Sequence, residues 1–146
     1  AADPWAMWLR RMVLRENQIR GTLERHVGAV PEGLRESYSS LIRLSEARVR
    51  TLEAALMLRG EKGAGLSTTL VRSLGRLSGG LTAWGGARRV LSMDIDGVRS
   101  LERSYFEAYH EKPPTDLCFL LSRFIGELEK ERASLVELSK PLFAAL

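Results

Sequence analysis

The amino-acid sequence predicts an all-α protein, a bundle of four long helices with one long connection between the second and the third. Apolar residues recur three and four positions apart along four stretches, which is the period of an amphipathic helix. Nowhere do they alternate with the period of two that a half-buried strand requires. The 146 residues, 45% of them hydrophobic, are enough for one core. We therefore expect a single helical domain over residues 1–146.

The first helix is expected to begin at Asp3-Pro4, because an aspartate cap followed by proline is typical of a helix N-terminus. Its apolar positions are Leu9, Met12, Ile19, Leu23, Val27 and Val30. Trp5 and Trp8 lie near its start, where tryptophans either pack within the domain or contact a partner or a membrane interface.

A break at residues 30–33 precedes the second helix, which is expected to run from about Glu32 to Arg59. Its apolar positions are Leu34, Tyr38, Leu41, Ile42, Val49, Leu52 and Leu56. We expect the arginines of this helix, Arg43, Arg48 and Arg50, to face solvent. A glycine-rich loop over residues 60–65 then ends it.

Residues 66–97 combine six glycines with leucines, one tryptophan and scattered arginines. Glycine at this density weakens a helix, so another reason must favour it. Close backbone packing, a shallow position in a membrane interface, or a loosely packed crossover between the second and third helices would each explain the composition. We assign Trp84, Arg88 and Arg89, together with Trp5 and Trp8, as candidate contacts with a membrane or a partner.

The third helix is expected over residues 89–111, and the fourth from Thr115 or Asp116 onward. The third helix should bury Val90, Ile95, Val98, Leu101, Tyr105 and Tyr109. The fourth should bury Leu117, Leu121, Phe124, Leu128, Leu135 and Leu138. Glu131 lies on this last apolar stripe, and a carboxylate there is costly unless another group pairs with it.

The net charge of +4 and the sequence pI of about 9.6 favour anionic partners such as RNA, anionic lipid or acidic proteins, or else a solvated basic surface. No apolar run reaches the ~18 residues of a membrane span. Cys118, the single cysteine, is expected to be a small buried apolar residue. The start at Ala1 is expected of a processed protein whose targeting segment has been removed.

Inward carboxylates in a helical bundle are typical of a two-metal site, which uses four acidic residues and Glu-x-x-His pairs on two helices. The chain has two histidines. His110 completes a Glu-x-x-His spacing with Glu107, but at the end of its helix, and Leu23 precedes His26 by three positions. These positions do not predict an intact di-iron site.

Several segments nevertheless resemble one family of bundles. They are residues 18–28 with two glycines seven apart, residues 45–57, the small-residue segment 79–86, Ser100 with Tyr105, and residues 124–131. On these segments the chain resembles the demethoxyubiquinone hydroxylases, ferritin-like di-iron proteins that act on a ubiquinone precursor at the inner mitochondrial membrane. The resemblance implies a ferritin-like bundle with a membrane-leaning, Gly-rich helical crossover between the second and third helices.

The chain departs from the family at the metal ligands. The resemblance places the six ligand positions at Ile19, Glu46, Val49, Val98, Leu128 and Glu131. None of these is histidine and two are acidic, so the resemblance implies a bundle that holds no metal and no other cofactor. Apolar side chains at such positions avoid the repulsion of unpaired inward carboxylates.

We therefore expect a non-catalytic accessory subunit that binds other protein subunits in a large mitochondrial assembly, above all an inner-membrane respiratory or ATP-synthase complex. A mitochondrial ribosome is the alternative. The Gly-rich helix would then contact lipid or quinone, and sequence-specific nucleic-acid binding is not expected. The enzymatic alternative is a quinone-modifying di-iron oxygenase with rearranged ligands, drawn from Glu16, Glu46, Glu102, Glu131 and His26.

Overall fold

The computed structural model describes residues 3–60 and 86–144, which form four α-helices and no strand. The helices are α1 (Pro4–His26), α2 (Glu32–Leu58), α3 (Ala87–Tyr109) and α4 (Thr115–Ala144). The all-α prediction is thus confirmed, and the helices pack in a manner consistent with a four-helix bundle. The predicted crossover falls mainly on residues 61–85, including Trp84, and these lie outside the described residues.

Local sequence signals set the helix ends. Asp3 caps α1 as predicted, because its Oδ1 accepts a hydrogen bond of 2.9 Å from the Trp5 amide, and Pro4 takes the first helical position. Gly60 follows α2 with a φ of 74°, the left-handed conformation in which glycine avoids a Cβ clash. Asp3 and Gly60 therefore mark the start and the end of the first helical hairpin, α1 with α2.

The two hairpins, α1 with α2 and α3 with α4, form the most extensive helix contacts, and they pack on each other through α1 against α3 and α2 against α4. Polar pairs show the direction of each helix. Arg59, after α2, lies beside Asp116 at the start of α4 and Asp3 at the start of α1. Arg88, at the start of α3, lies over the ring of Phe143 at the end of α4. Neighbouring helices are therefore antiparallel.

The inner faces of the four helices form one core. It includes most of the predicted apolar positions, with Tyr38, Tyr105 and Phe124 among its largest buried side chains. Two predicted core residues lie on the surface instead, because the apolar stripe turns away from them: Tyr109 is 42% exposed and Leu138 is 48% exposed. Trp5 and Trp8 are half-buried and pack against the core. None of the described helices is long and apolar enough to cross a membrane.

Candidate functional site

Arg48 lies in the middle of the bundle, where the sequence had suggested a solvated side chain. Its side chain is 4% exposed, and its guanidinium contacts carboxylates from two other helices. Nε donates to Glu16 Oε1 of α1 at 2.7 Å, and Nη1 donates to Glu127 Oε1 of α4 at 2.6 Å. The expectation that Arg48 faces solvent was wrong. Burial favours the neutral form of an arginine, but Glu16 and Glu131 more than offset this and raise the pKa of Arg48 above its ordinary value.

Glu16, on α1, is fully buried and contacts two other helices, α2 and α3. Besides Arg48, its carboxylate accepts hydrogen bonds from Ser45 Oγ of α2 at 2.7 Å and from Tyr105 Oη of α3 at 3.2 Å. Burial raises the pKa of Tyr105, and the negative charge of Glu16 raises it further. The phenol therefore keeps its proton and donates a hydrogen bond to Glu16. The charge of Glu16 is thereby compensated without solvent.

Glu131 completes this group, which we call the central network: Glu16, Ser45, Arg48, Tyr105, Glu127 and Glu131. Oε1 of Glu131 lies 3.6 Å from Arg48 Nη1, which is beyond hydrogen-bond distance. Both carboxyl oxygens of Glu131 are buried and have no hydrogen bond. Burial, and then the carboxylates of Glu127 and Glu16, raise the pKa of Glu131 to about 8, against the lowering effect of Arg48. This raised pKa favours the protonated form of the carboxyl at neutral pH.

A row of aromatic rings connects the surface near the start of α1 with the central network. Trp5 packs edge-on against Trp8 at a centroid distance of 5.8 Å, Trp8 against Tyr105 at 5.8 Å, and Tyr105 against Phe124 at 5.4 Å. Edge-to-face pairs at these distances are stabilising. Packing thus accounts for much of the surface of both tryptophans, and their role as membrane or partner contacts remains a prediction.

A second buried polar group lies nearer the end of the bundle where α1 ends. His26 Nδ1 lies 2.7 and 2.9 Å from the two oxygens of Asp94 and donates to them, since a carboxylate only accepts. Tyr38 Oη donates to Asp94 Oδ2 at 2.6 Å. Burial and the neighbouring Asp94 raise the pKa of Tyr38. We call these three residues the end triad; it joins α1, α2 and α3.

The six positions that the resemblance gave as ligand positions lie on or beside the inner faces of the helices. Val49, Val98 and Leu128 are buried in the core, and Ile19 and Glu46 are half-buried. Of the six, Glu131 belongs to the central network. The other charged members lie nearby in sequence: Glu16 is three positions before Ile19, Arg48 two after Glu46, and Glu127 four before Glu131.

The acidic residues named for the enzymatic alternative are not brought together at one point. Glu16 and Glu131 share the central network, whereas His26 belongs to the end triad and Glu102 accepts from Arg132 Nε at 2.7 Å between α3 and α4. Within residues 3–60 and 86–144, no group of three or more His, Cys, Asp and Glu side chains is arranged to hold a metal ion. A di-iron centre does not fit the residues present, because a guanidinium lies among the carboxylates that would hold it.

The sequence contained a signal for the central network that its interpretation missed. Leu41, Ser45, Arg48, Leu52 and Leu56 are spaced four, three, four and four residues apart, which is the apolar stripe of α2. A charged residue on that stripe indicates a buried ion pair. Asp94 likewise falls on the stripe of Val90, Leu91 and Val98. In both cases the partners come from other helices, so spacing along one helix does not identify them.

Fold and site together define a class: a four-helix bundle whose centre holds a buried arginine–carboxylate network. Comparison of the chain with protein-family models, with characterised proteins and with solved structures gives no match.

Proposed function

We propose that the protein is a non-catalytic, architectural subunit of a larger mitochondrial assembly, built on a ferritin-like bundle that does not hold metal. One observation carries the proposal: the guanidinium of Arg48 lies between carboxylates of α1 and α4 at the bundle centre. A side chain that is part of the fold supplies the positive charge that metal ions supply in carboxylate-bridged bundles.

The electrostatics of the centre support this interpretation. A divalent ion at the carboxylates of Glu16 and Glu127 would lie within a few ångströms of the Arg48 guanidinium, and like charges at such distances repel strongly in a buried environment. Ser45 and Tyr105 donate to the remaining acceptor sites of Glu16. The network therefore serves the cohesion of four helices, with Glu131 as the member whose buried carboxyl oxygens have no hydrogen bond.

The helix directions support the ferritin-like topology. The end of α2 lies beside the starts of α1 and α4, whereas the start of α3 lies beside the end of α4. From these positions we infer that the connection between α2 and α3 joins opposite ends of the bundle. Bundles with one long crossover connection, among them the ferritin-like ones, have this arrangement. We propose the same relationship here, as the resemblance to the demethoxyubiquinone hydroxylases implies.

Two assemblies are candidates. An inner-membrane respiratory or ATP-synthase complex follows from the resemblance and from the composition of the Gly-rich segment, with Trp84, Arg88 and Arg89 as proposed membrane or partner contacts. A mitochondrial ribosome is the second candidate, and a specific observation favours it: arginines and aromatic rings share an exposed face of α3.

Metal analysis and native sedimentation of the full chain, isolated from its source, test the proposal. We expect iron, manganese and zinc far below one ion per chain, and sedimentation with a large complex. The enzymatic alternative predicts two iron ions per chain, and finding them would overturn the proposal. Isolation of the chain as a free monomer would overturn it as well.

A further inference from the structure

An exposed face of α3 carries aromatic and arginine side chains in one row. Arg99, Arg103, Phe106 and His110 are spaced four, three and four residues apart, so they follow one another along the solvent-facing side of the helix. Phe106 is 51% exposed, and Tyr109 beside it is 42% exposed. We call Arg99, Arg103, Phe106, Tyr109, His110 and the neighbouring Arg132 of α4 the α3 surface.

The rings of the α3 surface are held in place before any partner binds. His110 Nδ1 lies 3.0 Å from the carbonyl oxygen of Phe106 and donates to it, which fixes the imidazole over the phenyl ring. The two ring centroids are 4.3 Å apart, and the rings are tilted by 39°. Tyr109 meets the imidazole edge-on at 5.7 Å. A partner that stacks here loses little side-chain entropy on their account.

The arginines of the α3 surface surround an open groove of about 370 Å³ next to Phe106. Arg132 is held over this groove by Glu102, whose oxygens accept from its Nε at 2.7 Å and its Nη2 at 3.4 Å. Arg103 is exposed, and Arg99 is half-exposed with a long 3.6 Å contact to Asp96. Three guanidinium groups and one carboxylate, that of Glu102, line the groove itself, whereas Asp96 and Glu129 lie outside its lining beside Arg99 and Arg132. The charges that line the groove therefore favour an anionic partner.

We propose that the α3 surface binds single-stranded RNA without sequence preference, by stacking bases on Phe106 and His110 and by pairing phosphates with Arg99, Arg103 and Arg132. Proteins that bind single strands combine a basic groove with exposed aromatic rings, because every base has a stacking face. Guanidinium groups match phosphate oxygens in geometry. An acidic protein segment would use the arginines, but it would gain much less from two exposed stacked rings.

This inference goes beyond the architectural role and names one partner for it. RNA binding does not affect the metal content of the bundle centre, and the metal content does not affect RNA binding. Failure of the RNA experiment and failure of the proposed function are therefore distinguishable. Success would favour the ribosomal assembly over the inner-membrane one.

The experiment measures the affinity of the full chain for a fluorescein-labelled oligouridine by anisotropy, at several salt concentrations. We expect Phe106→Ala to weaken binding about tenfold, since base stacking on one ring contributes on that order. Phe106→Trp should restore the affinity. Arg103→Gln should weaken binding and reduce the slope of log affinity against log salt by about 0.7, the value for one phosphate contact with a single strand.

Matched controls separate the α3 surface from the general basic charge of the chain. Phe119→Ala removes a phenyl ring that is 76% exposed on α4, and Arg50→Gln removes an exposed charge on α2. Both should bind as the wild type, apart from a small loss for the latter. Circular dichroism should show equal helix content in all variants, because the substituted side chains are largely outside the core.

Several results would overturn the proposal. Phe106→Ala weakens RNA binding only if bases stack on this ring, so unchanged affinity of this variant contradicts the proposal. Equal losses for Phe106→Ala and Phe119→Ala contradict it too. Equal binding of double-stranded RNA of the same length would exclude stacking. Displacement of the RNA by an equally charged oligoglutamate at similar concentration would assign the surface to an acidic protein partner instead.

Discussion

The central network and the end triad are two buried polar groups that solve the same problem with different charge balances. In the end triad, one carboxylate, Asp94, accepts from two donors, His26 and Tyr38. In the central network, three carboxyl groups converge on one guanidinium, that of Arg48. The triad thus satisfies its acceptor with short hydrogen bonds, whereas the network has more acidic groups than cations.

This difference shows how the centre of the bundle remains stable with so many acidic residues. Arg48 supplies one positive charge to Glu16 and Glu127, a proton on Glu131 removes the charge of the third carboxyl, and Glu127, which is 25% exposed, is partly solvated. Stability at the centre therefore depends on one arginine and on pH, while the triad depends on the shape and acceptor capacity of one aspartate. The predictions below test this contrast.

Replacement of Arg48 by methionine should have the largest effect. The substitution leaves Glu16 buried at 0% exposure without its cation, which costs about 3–5 kcal/mol of unfolding free energy. Urea unfolding at pH 7 measures the loss. Arg50→Met, on the exposed face of the same helix, is the control and should change stability by less than about 0.5 kcal/mol.

The double variant Arg48→Met, Glu16→Gln sharpens this test. Glutamine keeps the hydrogen-bonding shape of Glu16 and removes its charge, so most of the lost stability should return. If Arg48→Met alone is as stable as the wild type, or if the double variant loses the sum of both single effects, the ion pair does not hold the centre together.

Replacement of Asp94 by asparagine should be the next largest effect. Asparagine keeps one acceptor oxygen where the carboxylate has two, and its NH₂ group is a donor that cannot bind the donors of His26 and Tyr38. We therefore expect a loss of about 2–3 kcal/mol of unfolding free energy. Asp96→Asn provides the control on the same helix, because the side chain of Asp96 is 70% exposed. Thermal unfolding of the two variants side by side checks the prediction, and equal melting temperatures would contradict it.

Glu131 gives the central network a pH dependence. The pKa of about 8 in the folded protein lies above the ordinary value of 4.5, so the folded state binds the proton more tightly. The contribution of Glu131 to the free energy of unfolding should therefore be greatest below about pH 4.5 and should fall as the pH rises to about 8.

Glu131→Gln imitates the protonated carboxyl and removes this dependence. At pH 5 the variant and the wild type should be about equally stable, and at pH 9 the variant should be more stable by at least about 2 kcal/mol, because a pKa raised from 4.5 to about 8 corresponds to as much as about 4–5 kcal/mol. Comparison of the two proteins at each pH cancels the titration of all other groups. A difference that is the same at both pH values would show that Glu131 does not titrate in this range.

Spacing alone predicted the fold class and the approximate helix bounds. The apolar stripe of α4 includes Leu117, Leu121 and Phe124, which all pack in the core as expected. Tyr109 and Leu138 were predicted to be buried and are not, because the buried stripe passes through their neighbours Ala108 and Ser139 instead. Periodicity indicates which face of a helix is apolar, but it does not decide which positions at the edge of that face are buried.

The site was harder to predict, because its pairs join different helices. Glu131 was identified as a carboxylate that needs a partner, and its nearest cation is Arg48. That arginine was expected in solvent, since composition treats arginines as surface residues even when one lies on a core stripe. The register between helices, which side-chain packing determines, decides that Arg48 meets Glu16 and Glu127.

The smallest predicted effect compares one phenol in each cluster. Tyr38 donates at 2.6 Å to Asp94, whose other hydrogen-bonding partner shown here is His26, whereas Tyr105 donates at 3.2 Å to Glu16, which already binds Arg48 and Ser45. Removal of one hydroxyl therefore leaves Asp94 with the larger deficit. We expect Tyr38→Phe to be less stable than Tyr105→Phe by about 1 kcal/mol in urea unfolding, because both rings are fully buried and lose only the hydroxyl. The reverse order would mean that Glu16, despite its additional donors, depends more on its phenol, and that the network is less well compensated than the triad.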